Sequence, residues 1–141
     1  MCRVSLLPRL PFEFVVQGIA ISFQTSSSSK DAWKAAVKAA ASSAMPEGAW
    51  LLDGALAVTI FIFPCAVMQG DVDNRVKPIL DALIKCVYFD DAQIERVVVQ
   101  KFEPDRYFVF ANPSEALSGA LTSTDAVVYV KITDNLHEDL I

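Results

Sequence analysis

The sequence has few of the residues on which many enzymes rely for catalysis or for zinc binding. It contains one histidine, His137, in a polar stretch, and three cysteines, none of them in a Cys-x-x-Cys or Cys/His spacing. Three cysteines cannot all pair within one chain, so neither a disulfide framework nor a zinc site is expected. Catalysis by a histidine base is also not expected, because a residue in such a stretch is poorly held in a catalytic geometry.

Long hydrophobic runs and positive charge are also scarce. The longest apolar stretch, residues 55–68, is broken by Pro64 and is too short to span a bilayer. The first residues have no apolar run of signal-peptide length, so we expect a cytoplasmic protein with no membrane partner. The 12 basic and 17 acidic residues give a net charge of −5. This balance counts against nucleic acid as a ligand, because nucleic-acid binding usually rests on a basic surface.

Four segments are predicted to be strands because they are rich in β-branched and aromatic residues. They are residues 12–20, 56–63, 94–102 and 126–133. The second of them, LAVTIFIF, is apolar at both alternating positions, which is typical of a central strand that is covered on both sides.

Two segments, residues 31–44 and 74–87, carry apolar residues at helical spacing, and Ser28 or Ser29 is expected to cap the first of them. Residues 103–124 are predicted to be a loop with a short helix at 114–117. The order of elements predicts one α/β (α+β) domain, a mixed sheet of about four strands with two helices packed on it. The domain core is expected to span residues 12–133, and the order of residues 134–141 is left open.

Two pairs of aspartates lie in the segment GDVDNRVKPILDALIKCVYFDDAQI, residues 70–94. Asp71 and Asp73 follow a predicted strand, and residues two apart in extended backbone point to the same side. Asp90 and Asp91 follow the next helix, and the return of the chain into the third strand can bring them near the first pair. Clustered carboxylates are costly unless a cation lies among them, and hard oxygen ligands suit Mg²⁺ or Mn²⁺. Lys77 lies on the same helix face as Asp73 and can pair with a carboxylate or contact a phosphate.

Each fragment of this segment also has a simpler interpretation. Asp73 or Asn74 can cap a helix, Asp90 and Asp91 can form a turn, and Lys77 can be a solvated surface charge. A DxD spacing also occurs in glycosyltransferases and phosphatases. A sugar-nucleotide transferase is the weaker alternative, because such enzymes usually need a nucleotide-binding domain larger than this chain.

The complete string is more specific than its fragments and resembles the RusA family of Holliday-junction resolvases. That family's pattern is DxDN, a lysine four residues after the second aspartate, LDAL, and then DD and a glutamine. A weaker likeness lies upstream, and together the two cover residues 12–102. The matching positions are Asp71, Asp73, Asn74, Lys77, Leu80 to Leu83, Asp90, Asp91 and Gln93, and upstream Gly18, Ser22, Gln24, Trp33, Lys34 and Val37.

The resemblance implies a function that the spacing alone does not give. It implies a homodimeric, Mg²⁺-dependent endodeoxyribonuclease that resolves four-way junctions by paired symmetric nicks in DNA recombination and repair. Asp71, Asp73 and Asp91 would be the catalytic metal ligands, with Asp90 as the substitute for Asp91, and Lys77 would assist cleavage. Asp81 is interpreted as structural. The candidate DNA-contacting residues are Lys30, Arg75 and Lys77.

The sequence departs from the family in the loop before DxDN, because residues 63–70 carry no charge. DNA affinity is therefore expected to be weak and strongly salt-dependent. The alternative function is that of a non-catalytic, dimeric DNA-binding relative. The loop 64–70 is either part of the dimer interface or a flap at the mouth of the site, since Val67 and Met68 have no evident core strand to join.

Overall fold

The structure is a computed structural model that describes residues 8–21 and 25–138. Its strands are β1 (Phe12–Gln17), β2 (Leu56–Phe63), β3 (Ile94–Lys101) and β4 (Val127–Thr133). Its helices are α1 (Ser27–Ala44), α2 (Val76–Leu83) and α3 (Glu115–Thr122), and two 3₁₀ turns lie at Asp73–Arg75 and Asp91–Gln93. The short helix predicted at 114–117 is therefore longer, and it becomes a third helix of the fold.

The four strands form one mixed sheet, as predicted, and their order in it is β1-β4-β2-β3. β4 is antiparallel to both of its neighbours, so that Ile132 lies opposite Phe12 of β1 and opposite Val58 of β2. β2 and β3 are adjacent and parallel. Parallel neighbours need a crossover connection. Here that connection contains α2 and both aspartate pairs.

Apolar side chains cover both faces of the sheet. On one face, α1 and α2 pack against alternate residues of β1, β2 and β4, with Val37, Val58 and Leu83 buried at the centre. On the other face, Leu117 of α3 packs with Tyr129 of β4 and with a group of half-buried phenylalanines. β2 is therefore a central strand covered on both sides, as its sequence predicted.

Helix α1 begins earlier than the predicted residue 31. Its first residue is Ser27 and its N-cap position is Ser26, so the assignment of the cap to Ser28 or Ser29 was wrong. Residues 27–29 are exposed. Serine costs little on an exposed helical face, so the polar composition of this stretch does not end the helix. The predicted apolar face is confirmed by the buried side chains of Trp33, Val37 and Ala41.

Helix α2 ends at Leu83, four residues before the predicted end of the second helix. Ile84 is extended and Lys85 has a φ of 62°, a left-handed conformation that no longer continues a helix. The N–H groups of Cys86 and Val87 both donate to the Leu83 carbonyl, at 3.1 and 2.9 Å, so the turn satisfies its own donors. Helical spacing of apolar residues does not reveal such a turn, because Val87 is buried in either conformation.

Strand β1 ends at Gln17, whereas the sequence predicted a strand through residue 20. Gly18 has a φ of +129°, and its N–H donates to Ala126 at 2.9 Å. Ser22 and Gln24, which belong to the weaker upstream resemblance, lie outside the described residues. At the other end, residues 134–138 form a bend and a turn, and the Glu138 carboxylate lies 3.8 Å from both Arg96 and Lys131.

Candidate active site

The first aspartate pair lies where the long loop after β2 enters α2. Asp71 is in the loop, and Asp73 is the first residue of the 3₁₀ turn that leads into the helix. Both residues are exposed. Their carboxylates are therefore accessible to solvent, to ions and to a substrate.

Lys77 joins this region to the second aspartate pair. Its Nζ lies 2.7 Å from Asp81 Oδ1 and 3.4 Å from Asp91 Oδ2. The lysine side chain is 50% exposed and that of Asp91 is 43% exposed, so the group lies at the surface. The hydrogen bond to Asp81, with a smaller contribution from Asp91, raises the pKa of the Lys77 ammonium above its usual 10.5. The expectation that Lys77 pairs with a carboxylate is confirmed, and the partners are Asp81 and Asp91.

This contact brings together two parts of the motif that lie 14 residues apart in the chain. Asp91 is in the turn before β3, yet its carboxylate reaches the first turn of α2, which begins three residues after Asp73. Asp81, interpreted from the sequence as structural, is the nearer partner of the lysine. It therefore belongs to the same charged group as Asp91.

The carboxylates fit a hard cation in chemistry but do not form a complete cage. Asp71, Asp73 and Asp91 supply the oxygen donors that Mg²⁺ prefers. Within residues 8–21 and 25–138, however, no group of three or more His, Cys, Asp or Glu side chains is arranged to hold a metal ion. Lys77 provides the positive charge beside Asp91. The magnesium site and its ligands, with Asp90 as the substitute, remain a prediction.

Gln93 fixes the turn that carries Asp90 and Asp91. Its Oε1 accepts hydrogen bonds from the N–H groups of Phe89 and Asp90, at 2.8 and 3.1 Å. Its Nε2 donates to the carbonyls of Leu52 and Gly54, at 3.1 and 2.9 Å. Sequence reasoning gave Gln93 no role of its own. The spacing Asp-x-x-Gln, which is that of a capping box, is the signal that could have indicated one.

Glu103 anchors the loop between β2 and the first aspartate pair. The N–H of Met68 donates to Glu103 Oε2 at 2.8 Å, and Lys101 Nζ lies 3.4 Å from the same oxygen. The hydrogen bond from Met68 lowers the pKa of the Glu103 carboxyl below its usual 4.5. Met68 itself packs into the core, so the expectation that it has nothing to join was wrong. Val67 beside it is 62% exposed and stays available for a partner.

Arg75 holds the same loop from the other side. Its guanidinium donates to the carbonyl of Ala20 at 2.9 Å and to the carbonyl of Gln69. The side chain is half-buried, and its hydrogen bonds give it a structural role next to Asp73. Lys30, the other candidate for a DNA contact, lies in the first turn of α1 and is half-buried. The DNA contacts of Lys30, Arg75 and Lys77 remain predictions.

The fold is that of a small α/β domain in which the candidate aspartates and one lysine lie within a single β-α-β connection. The family model for Endodeoxyribonuclease RusA matches residues 18–109, more than half of the chain. The chain therefore belongs to the RusA endodeoxyribonuclease family, whose members act on Holliday junctions. The match includes α1, β2, α2, β3 and all the candidate aspartates.

None of the curated proteins matches the chain. Among the residues that the structure describes, no helix has the length and apolar character needed to cross a membrane.

Proposed function

We propose that this protein is a Mg²⁺-dependent endonuclease that resolves Holliday junctions by paired symmetric nicks in DNA recombination and repair. The observation that carries the proposal is the exposed contact of Lys77 with Asp91, because it brings the second aspartate pair to the first turn of α2, the helix that begins three residues after Asp73. Family membership supports the DNA substrate. The cytoplasm is the proposed location.

The proposed metal ligands are Asp71, Asp73 and Asp91, with Asp90 as the substitute for Asp91 and Mn²⁺ as an alternative ion. Magnesium sites that act on phosphates often use one or two carboxylates and complete the coordination with water and substrate oxygens. An open arrangement of aspartates is compatible with such a site. When bound, the ion would supply an activated water and stabilise the charge on the phosphoryl group.

The proposed role of Lys77 is to assist cleavage by placing its ammonium beside the phosphate. The ammonium is protonated at neutral pH, since its pKa is raised. It is also half-exposed, so a phosphate oxygen can approach it without opening the core. Asp81 would keep the lysine at the site when Asp91 binds the ion.

The proposed assembly is a homodimer in which two sites face one four-way junction. Two nicks placed symmetrically about a junction require a two-fold arrangement of the sites. The loop 64–70 remains a candidate for the interface, and exposed Val67 is the side chain that would contact the partner. Light scattering, with and without a four-way junction, tests the assembly. A monomer whose mass does not rise on addition of the junction would remove the resolvase assignment.

The experiment that tests the chemistry compares a labelled four-way junction with a matched duplex in Mg²⁺, in Ca²⁺ and without divalent ions. We expect cleavage of the junction with Mg²⁺ or Mn²⁺, and binding with little turnover in Ca²⁺. Asp71→Asn and Asp73→Asn should abolish cleavage and preserve the fold, because an amide is a poorer ligand for a hard cation. Asp125→Asn, an exposed aspartate before β4, is the matched control. Undiminished cleavage by Asp73→Asn would place the active site elsewhere.

A second candidate function is that of a non-catalytic DNA-binding dimer. It is favoured by the lack of charge in residues 63–70 and by the open arrangement of the carboxylates in the described chain. The same experiment separates the two functions. Binding of the junction without cleavage in either Mg²⁺ or Mn²⁺ would support the second.

A further inference from the structure

The amide of Gln93 uses all of its hydrogen-bonding capacity within the protein. Two backbone N–H groups face Oε1 and two backbone carbonyls face Nε2, at distances between 2.8 and 3.1 Å. The orientation of the amide follows from its neighbours, because a reversed amide would set donors against donors and acceptors against acceptors. These four hydrogen bonds, and not size alone, therefore favour glutamine at position 93.

These four contacts connect two segments that are distant in the chain. Leu52 and Gly54 lie just before β2, and Phe89 and Asp90 lie just before the 3₁₀ turn that contains Asp91. The N–H of Gln93 also donates to the Asp90 carbonyl at 3.1 Å, which closes the turn on itself. The turn that contains Asp91 is thus tied to the segment that leads into β2.

We propose that Gln93 is a positioning residue of the nuclease, which holds the Asp91 turn so that the Asp91 carboxylate is presented to the metal ion and to Lys77. This inference rests on the proposed function, since it concerns the same site. Gln93 has no free polar atom with which to touch the substrate, so it acts through Asp91. Residues that orient metal ligands in this way typically change metal affinity or activity by about 10–100-fold when substituted.

The test uses two substitutions of similar size. Gln93→Glu keeps an acceptor for the Phe89 and Asp90 N–H groups, but sets a second oxygen against the Leu52 and Gly54 carbonyls. Gln93→Met fills the same space without any hydrogen bond. Gln100→Glu, on an exposed position of β3, is the control for the added charge.

The readouts are the Kd for Mn²⁺, measured on the protein without DNA by electron paramagnetic resonance of the free ion, and kcat and KM for the junction. We expect both Gln93 variants to bind Mn²⁺ about 10–100-fold more weakly and to lose kcat to a similar degree, with little change in KM. Gln100→Glu should match the wild type. A fall in Tm with unchanged Mn²⁺ affinity and unchanged kcat would make Gln93 a stabilising residue only, and would overturn the inference.

Two further variants make the result decisive. If circular dichroism shows either Gln93 variant to be unfolded at the assay temperature, Gln93→Asn replaces it, because it keeps the amide and shortens its reach. Asp91→Asn distinguishes the inference from the function on which it rests. If it abolishes cleavage while the Gln93 variants match the wild type, only the positioning role is wrong. If the wild type neither binds Mn²⁺ nor cleaves, the proposed function fails and the positioning role fails with it.

Discussion

The hydroxyl of Tyr88 ties the end of α2 to the chain that leads to Asp90 and Asp91. The ring is fully buried, and its OH donates to the Leu80 carbonyl at 2.7 Å. The N–H of Ile84 donates to Asp81 instead, so the tyrosine takes the place of a helical donor at Leu80. Tyr88→Phe removes this hydroxyl and leaves the packing of the ring in place.

The expected loss of stability follows from two contributions. A neutral hydrogen bond contributes about 0.5–1.5 kcal/mol net, and a buried carbonyl left without a partner costs about 1–3 kcal/mol. Because the carbonyl stands at a helix end, where relaxation is easier than in a strand, we expect a loss of about 1–2 kcal/mol in the free energy of unfolding. For a chain of this length, that loss lowers Tm by about 3–7 °C.

Thermal unfolding followed by circular dichroism measures this loss directly. Tyr107→Phe is the matched control, because it deletes the same hydroxyl from a side chain that is 93% exposed, and its Tm should not change. A Tyr88→Phe protein that melts at the wild-type temperature would refute the reasoning. It would show that the Leu80 carbonyl finds another partner without cost.

Four other substitutions test separate parts of the structure. The hydrogen bond from Met68 lowers the pKa of Glu103, so the ionised carboxylate stabilises the fold above pH 4.5, and this stability is lost as the pH falls through the lower pKa of the folded state. Glu103→Gln should therefore flatten the acid side of the curve of unfolding free energy against pH, measured by urea unfolding. An unchanged curve would contradict the anchoring role of Glu103. Gly18→Ala should destabilise the fold by about 1–3 kcal/mol, because Gly18 has a positive φ, and an added Cβ would lie 3.1 Å from the Trp33 ring. Gly119→Ala, where an added Cβ would meet nothing within 4 Å beyond its chain neighbours and its own helix backbone, should stabilise α3 by about 0.5–1 kcal/mol, and equal melting of both variants would refute the argument. Lys77→Ala should slow cleavage and leave Mn²⁺ binding largely intact. The free energy of unfolding should fall by only about 0–1 kcal/mol, because the ion pairs of Lys77 are exposed. A loss of Mn²⁺ binding would indicate a different role for the lysine.

The strands of the sheet could be predicted from the sequence because the residue types in a strand reflect which of its faces are buried. β2 is apolar at every position but one, and it is covered on both faces. The end of α2 could not be predicted in the same way. It depends on a turn at Lys85, where a residue other than glycine adopts a positive φ, and on a hydroxyl that comes from Tyr88.

The residues of the candidate site come from the sequence and remain predictions, whereas the contacts that hold the surrounding loops appear only in the structure. The aspartates and Lys77 were visible because charged side chains in a fixed spacing form a readable pattern. The anchors of the surrounding loops bind backbone atoms, as Glu103 does with the N–H of Met68, 35 residues away. A backbone N–H has no signature in the sequence, so such a contact becomes apparent only once the chain is folded.

The position of β4 in the sheet has a consequence for how the chain assembles. β4 is the last strand in the chain, yet it lies between β1 and β2 and provides the hydrogen-bonding partner for both. During synthesis, β1 must therefore wait until Val127–Thr133 has left the ribosome before its edge is satisfied. The β-α-β unit that contains the aspartates is synthesised earlier, and its strands β2 and β3 can pair with each other. The sheet is complete only when β1 pairs with β4, which lies far from it in the chain. Such closures are slow, so the acidic segment is complete as a chain well before it is held in a rigid domain.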